Sequence, residues 1–317
     1  MATGSGGRLS APARVSSERW LTWRFFALCA ALELDVFTHI AAGNTTAVSI
    51  AEAAYLDPRA LTRLLDAMVA MKYLRKKGER YSLEPIAREC LVKGSELYLE
   101  GMPELAKTIM FGWSQLATAV RTGKPVIAAE HGPPSQVMPL LVKSIFPVNC
   151  LCAKAVLRTM TPAQRGRIKA ILDVAAGSGA WSIPFSSSIP EARVTAVDFP
   201  DIIAVTREYA ARYGVADRYE YREGSIRDIE FGVARYDIVI LGHIIHSEGA
   251  TWGRKLIEKS AAALRDGGQL IIGEMIPNNS RTGPATALLF SLNMLLHTAE
   301  GDVFTMREYR EWLKAAG

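Results

Sequence analysis

The most specific chemical signal in the sequence is a bend of small residues flanked by two carboxylates. Ile171-Leu172-Asp173-Val174-Ala175-Ala176-Gly177-Ser178-Gly179 reads as an apolar strand running into side chains too small to obstruct a sharp turn or a close-lying ligand. A second apolar run ends in Asp198, 19 residues beyond Gly179. An acid there can accept hydrogen bonds from both hydroxyls of a ribose. Two adenosine cofactors use such a layout. A dinucleotide needs a third glycine for close helix packing, and here that place is Ser182, behind the bulky Trp181. S-adenosylmethionine carries no phosphate and benefits instead from an acid at the first strand end, which Asp173 provides. The residues favour S-adenosylmethionine over NAD, with Asp173, Ala175, Gly177, Gly179 and Asp198 as its seat.

These groups need a sheet that gathers them at one end. From Arg167 onward the chain alternates strand, turn and helix. Strands are predicted at 170–174, 193–198, 219–222, 237–241 and 269–274, with amphipathic segments such as 201–213 and 251–264 between them. The first, fourth and fifth strands are nearly continuous apolar runs, as parallel strands covered on both faces require. A doubly wound, Rossmann-like α/β domain is expected over 166–317, with its ligand at the carboxyl ends of the strands.

The half before it reads differently. Residues 1–17 are rich in Gly, Ser and Ala and are expected to be disordered. Over 18–165 the apolar spacing is helical, as in Phe25, Leu28, Leu32 and Val36. Asp57-Pro58 is an N-cap followed by proline, so a helix should run from there to about Met71. Tyr73-Leu74-Arg75 and Tyr81-Ser82-Leu83 flank a Lys-Gly-Glu-Arg turn, completing a winged helix. A DNA reader needs basic and amide side chains on its second helix. Here that helix offers Arg59 and Arg63 with Asp66, and is otherwise apolar. Dimerisation or covering of a substrate is the better reading, and no nucleic-acid partner is expected.

Composition agrees. With 49% apolar and 22% charged residues the 317-residue chain is ordinary globular material. The net charge of +5 arises in residues 1–165, which hold 20 basic and 13 acidic side chains. Cys29, Cys90, Cys150 and Cys152 form no disulfide framework, and the Cys150/Cys152 pair lacks the spacing of a zinc site. No metal is expected. The apolar stretch from Trp20 to Ile40 contains Arg24, Glu33, Asp35 and His39, which argues against a membrane span. A cytoplasmic protein with no membrane partner is expected.

The loop after the first strand resembles motif I of class I methyltransferases. From about Trp20 onward the chain is similar to small-molecule O-methyltransferases of the caffeate and acetylserotonin type, especially bacterial members. Leu32-Glu33-Leu34-Asp35-Val36-Phe37 and Arg63-Leu64-Leu65-Asp66-Ala67 match that family's winged-helix dimerisation domain. Asp198-Phe199-Pro200, the His246 segment, and Glu274 after Asp266-Gly267-Gly268 match its catalytic half. The resemblance implies a homodimer and methyl transfer to a hydroxyl of a small, aromatic or apolar acceptor, with S-adenosylhomocysteine as product. Transfer to sulfur or carbon, and a non-catalytic ligand sensor, are the alternatives.

The resemblance also assigns roles. His246, in Gly242-His243-Ile244-Ile245-His246-Ser247-Glu248, matches the catalytic base, and Glu274 matches a glutamate that orients it. A neutral imidazole suits that work, because it can take a proton as the new bond forms. Phe199, Gly224, Ser225, Ile226 and Gly242 join the cofactor residues. There are departures: the family's second glutamate falls at Val303, its adenine-contacting acid at Ser225 with Asp228 nearby, and a lysine of plant members at Gly242. His243 is read as a wall or hydrogen-bonding residue of the acceptor site. Phe146, Asn149, Met160, Phe290, Met294 and His297 are expected to form an apolar slot for a flat acceptor. The family continues past Ala-Ala-Gly with two more strands, so a sheet ending at the fifth strand is expected to leave an open edge, or the chain is a truncated form.

Overall fold

The computed structural model describes residues 10–126 and 137–317. It divides into two compact units, Met1–Ala106 and Lys107–Gly317.

In the first unit, helix Pro58–Ala70 starts where Asp57 Oδ1 accepts the Ala60 N–H at 2.7 Å. It buries Leu61, Leu65 and Met68, spaced to share one face. With Phe37, Ile50, Leu74 and Tyr81 they form the unit's core. The hairpin pairs β1 (Leu74–Lys77) with β2 (Arg80–Leu83). Asp66 accepts hydrogen bonds from Lys76 Nζ and the Tyr81 hydroxyl, tying helix to hairpin. The winged-helix order is therefore as expected. The N-terminus is not: residues 1–9 lie outside the described residues, and from Ala11 to Glu33 the chain is a helix. Pro12 near its start and the apolar residues beyond suit a helix end.

In the second unit five parallel strands run in the order β5-β4-β3-β6-β7, where β3 is Ala170–Val174, β4 Arg193–Asp198, β5 Tyr219–Glu223, β6 Tyr236–Gly242 and β7 Leu264–Gly273. The doubly wound order reverses at β3, so the crevice at its carboxyl end is where such folds hold ligands. β7 starts earlier than its apolar run suggests and pairs only with β6 among the described residues, making an edge.

The expected domain boundary at 165 is wrong. Helices Val137–Ser144 and Phe146–Thr159 pack on the α/β half, with Val142, Phe146 and Cys150 against Ile183, Ile202 and Tyr209, and Ala153 and Leu157 against Phe185 and Ile189. Periodicity reports the kind of element, and cannot say which core an amphipathic helix joins. On that same helix Cys150 is buried and Cys152 exposed.

Candidate active site

The loop after β3 adopts the backbone that its small residues allow. Ala175, Gly177 and Gly179 all have positive φ, at 54°, 58° and 73°. A side chain on Gly179 would crowd Ile183 at 3.1 Å. Asp198, at the end of β4, accepts the Gly177 N–H at 2.9 Å on Oδ2 and the Phe199 N–H at 2.8 Å on Oδ1. Thr206 donates its hydroxyl to Gly177 O at 2.7 Å. The bend and the second acid are thereby one hydrogen-bonded unit. Burial pushes the Asp198 carboxyl up to about 6 against the pull of those two N–H groups.

Asp173 is deployed differently from expectation. It is buried, and it takes the Ser182 hydroxyl, which in turn accepts from the Tyr219 hydroxyl at 3.0 Å. Its carboxylate braces the start of helix Ser182–Ser188. Burial raises Asp173 to about 7, with the nearby Asp198 charge adding to the effect. A carboxyl so raised favours the folded state fully below its unfolded value, near 4, and that contribution is lost as pH climbs through 7. Thermal melts of Asp173→Asn between pH 5 and 8 should therefore show a flatter pH dependence than the wild type. Parallel curves would place the titrating group elsewhere.

At the ends of β6 and β7 the sequence carries Gly242 and Gly273, and the Trp181 indole lies across both. A Cβ on Gly242 would sit 2.3 Å from Trp181 Cδ1, and one on Gly273 2.2 Å from Cζ2. In the sequence alone Trp181 stands out only as a bulky residue that spoils a dinucleotide motif. The signal available was two glycines at strand ends opposite a lone large ring. Gly273→Ala should cost about 1–3 kcal/mol through overpacking. A melting temperature unchanged from wild type would contradict this close packing, whereas partial recovery in Gly273→Ala/Trp181→Leu would support it.

His246 stands on the first turn of helix Ile245–Ala263, which is broken at Gly249 (φ 74°, ψ 175°). Its Nδ1 lies 2.6 Å from Glu274 Oε2, and its backbone N–H donates to Glu274 Oε1 at 3.3 Å. Glu274 follows directly on β7 and its side chain is 1% exposed. A carboxylate so placed accepts the Nδ1 proton and leaves Nε2 with its lone pair, the form a general base requires. Asp302 donates its N–H to His246 O at 3.0 Å, so the turn is held from both sides.

Ligand atoms of His243, His246 and Glu274 fall within 4.8 Å of one another. The 2.6 Å contact between His246 and Glu274 is a hydrogen-bond length, shorter than the roughly 3 Å that separates two ligands on an ion about 2.1 Å from each.

The other expected residues separate into two groups. Phe290 meets the base edge-on, its ring centroid 4.8 Å from that of His246, and the His243 ring centroid lies 6.1 Å from it. Phe146 and Met160 are core residues instead. Phe146 packs on Tyr209 and Tyr213 at 4.5 and 5.3 Å, and Met160 belongs to the cluster around Trp181 and Phe185. Asn149 and Met294 are buried on their helices, and His297 Nδ1 engages Asn293 O at 2.8 Å. Ser225 Oγ accepts the Arg227 N–H at 3.2 Å, while Asp228 donates its N–H to Ser225 O at 3.0 Å; Gly224 and Ile226 flank the same turn after β5. Val303 is buried and offers no carboxylate to the base.

Comparison with known proteins agrees with this geometry. Residues 104–317 match the O-methyltransferase domain, and residues 22–93 match the O-methyltransferase dimerisation domain. Acetylserotonin O-methyltransferase of Mus musculus is 30% identical, over 92% of this chain and 79% of its own length. The 3-hydroxy-5-methyl-1-naphthoate 3-O-methyltransferase of Streptomyces sahachiroi is 28% identical, over 93% of this chain and 86% of its own length. The crystal structure of human N-acetylserotonin methyltransferase in complex with SAM shares the fold, with a TM-score of 0.80 at 21% identity over 99% of this chain and 94% of that one.

Proposed function

The chain belongs to the O-methyltransferase family, and we propose that it methylates a hydroxyl of a small aromatic molecule with His246 as general base. The carrying observation is the His246–Glu274 pair, buried at the carboxyl ends of β6 and β7 in the same sheet as the small-residue bend. The two relatives named above are both named for flat aromatic acceptors, which supports this choice of substrate.

S-adenosylmethionine, when bound, supplies a methyl carbon on a positively charged sulfur and leaves as S-adenosylhomocysteine. The residues fit it. The bend takes positive φ at Ala175, Gly177 and Gly179, with Ala175 and Gly177 partly exposed, and the two Asp198 oxygens keep lone pairs beyond those used by Gly177 and Phe199. We assign the ribose to Asp198, the surrounding cradle to Gly177, Gly179, Phe199 and Gly242, and the base-binding turn to Gly224, Ser225 and Ile226. Asp173 holds the cradle from beneath. His246 Nε2 takes the hydroxyl proton, and Glu274 stabilises the imidazolium so formed. Phe290 covers the reacting oxygen and keeps water from it.

We read the first unit as the contact between two copies. Trp20, Leu21 and Trp23 on its long helix are 49%, 62% and 56% exposed, an apolar surface for a second chain. Nucleic acid and membrane are not among the partners we assign. No single described helix is long and apolar enough to cross a membrane, although the bent pair Val137–Ser144 and Phe146–Thr159 passes that test together. A cytoplasmic setting suits four cysteines that form no disulfide among the described residues.

Incubating the protein with methyl-labelled donor and a panel of hydroxylated aromatics tests the proposal. Label in an ether product supports it. Binding of S-adenosylhomocysteine without transfer to any acceptor in the panel would favour a sensor, and label on carbon or sulfur would move the chemistry away from a hydroxyl.

A further inference from the structure

His243 is absorbed by no step of the proposed reaction, yet its placement is costly. It holds a left-handed backbone, φ 61°, which strains any residue other than glycine. The strain is fixed in place, because its N–H donates to Gly273 O at 2.8 Å across the β6–β7 pair. The ring is thereby wedged between Trp181 and His246, with centroids 6.2 and 6.1 Å away. Its Nδ1 lies 4.0 Å from Glu274 Oε2, beyond hydrogen-bond range, and that carboxylate is already engaged by His246. Neither ring nitrogen has a hydrogen-bond partner among the described residues, and the side chain is 19% exposed. Burial lowers its pKa, so at neutral pH the ring offers one N–H donor and one lone pair. An apolar ring would fill the same space without leaving polar atoms unmet.

We propose that His243 is a specificity-determining residue that hydrogen-bonds a second oxygen on the acceptor, so that the preferred substrates are aromatic molecules with an oxygen adjacent to the hydroxyl that His246 deprotonates. This rests on the function proposed above. A flat acceptor held at one oxygen can still rotate within an apolar slot, whereas a second hydrogen bond fixes the reacting oxygen in line. A site built to pair with a polar group also rejects an analogue lacking it, because its own polar atoms are then stranded.

The test compares 2,3-dihydroxynaphthalene with 2-naphthol as acceptors for the full-length wild type, His243→Gly and His243→Asn. Glycine adopts the positive φ without strain, so the first variant removes the imidazole while keeping the backbone. Asparagine tolerates the same φ and restores a donor and an acceptor. The wild type should favour the diol at least 10-fold in kcat/KM, carried mainly by KM. His243→Gly should shrink that ratio to about 2-fold, the statistical advantage of two hydroxyls, and His243→Asn should recover part of it. A wild-type ratio near 2, or a large ratio that survives in His243→Gly, overturns the inference while leaving the proposed function standing. Transfer to neither acceptor, with S-adenosylhomocysteine still bound, counts against the proposed function and this inference together.

Discussion

His246→Ala is expected to lower kcat by about 10²–10⁴-fold, the usual contribution of a positioned base, while S-adenosylhomocysteine binds as in the wild type. The imidazole touches Glu274 and Phe290, and neither belongs to the cofactor cradle. Its loss should therefore appear in turnover and not in donor affinity. Glu274→Gln refines the result. An amide keeps the shape at 2.6 Å from Nδ1, but it carries no charge to stabilise an imidazolium and can present an N–H in place of an acceptor. It should cost less than removal of the ring and should change how rate depends on pH. Single-turnover rates with saturating donor give the comparison. A His246→Ala rate within a few-fold of wild type would assign catalysis to proximity alone, and the base role would have to be withdrawn.

Asp198→Ala should weaken S-adenosylhomocysteine binding by about 100-fold or more, since hydrogen bonds to a charged group contribute roughly 1.5–3 kcal/mol each. Two losses combine. The ribose hydroxyls lose their acceptor, and the Gly177 and Phe199 N–H groups lose theirs, so the bend itself loosens. The pH dependence separates them. With its carboxyl raised to about 6, Asp198 is ionised above that pH and protonated below it. Wild-type affinity should fall as pH drops through 6, because a protonated oxygen becomes a donor where an acceptor is needed. In Asp198→Asn the charge is absent at every pH, so that inflection should vanish. Calorimetry at pH 5.0 and 7.5 distinguishes these outcomes, and equal affinities for wild type and Asp198→Ala would remove the residue from the cofactor site.

Much of this was legible because it is local. The bend needs small side chains, a parallel strand buried on both faces needs a continuous apolar run, and Asp57-Pro58 caps a helix whatever lies around it. Those requirements fixed the strand ends at Val174 and Asp198, and hence where a ligand would sit. The position of His246 relative to Glu274 was implied by family likeness. Its 2.6 Å contact brings the first turn of helix Ile245–Ala263 against the residue that directly follows β7.

Residues remote in sequence decided the rest. Nothing in the order of amino acids says that Asp173 spends its carboxylate on Ser182, that Phe146 packs on Tyr209 and lies in a core, or that helices before residue 165 join the second unit. Likewise Trp181 takes the space above Gly242 and Gly273, which leaves His243 pressed beside the base with its nitrogens unspent. Sequence sets which elements form and where they end, because propensity and periodicity act over a few residues. Which side chains then meet is chosen by close packing, in which each volume is shared by segments far apart along the chain.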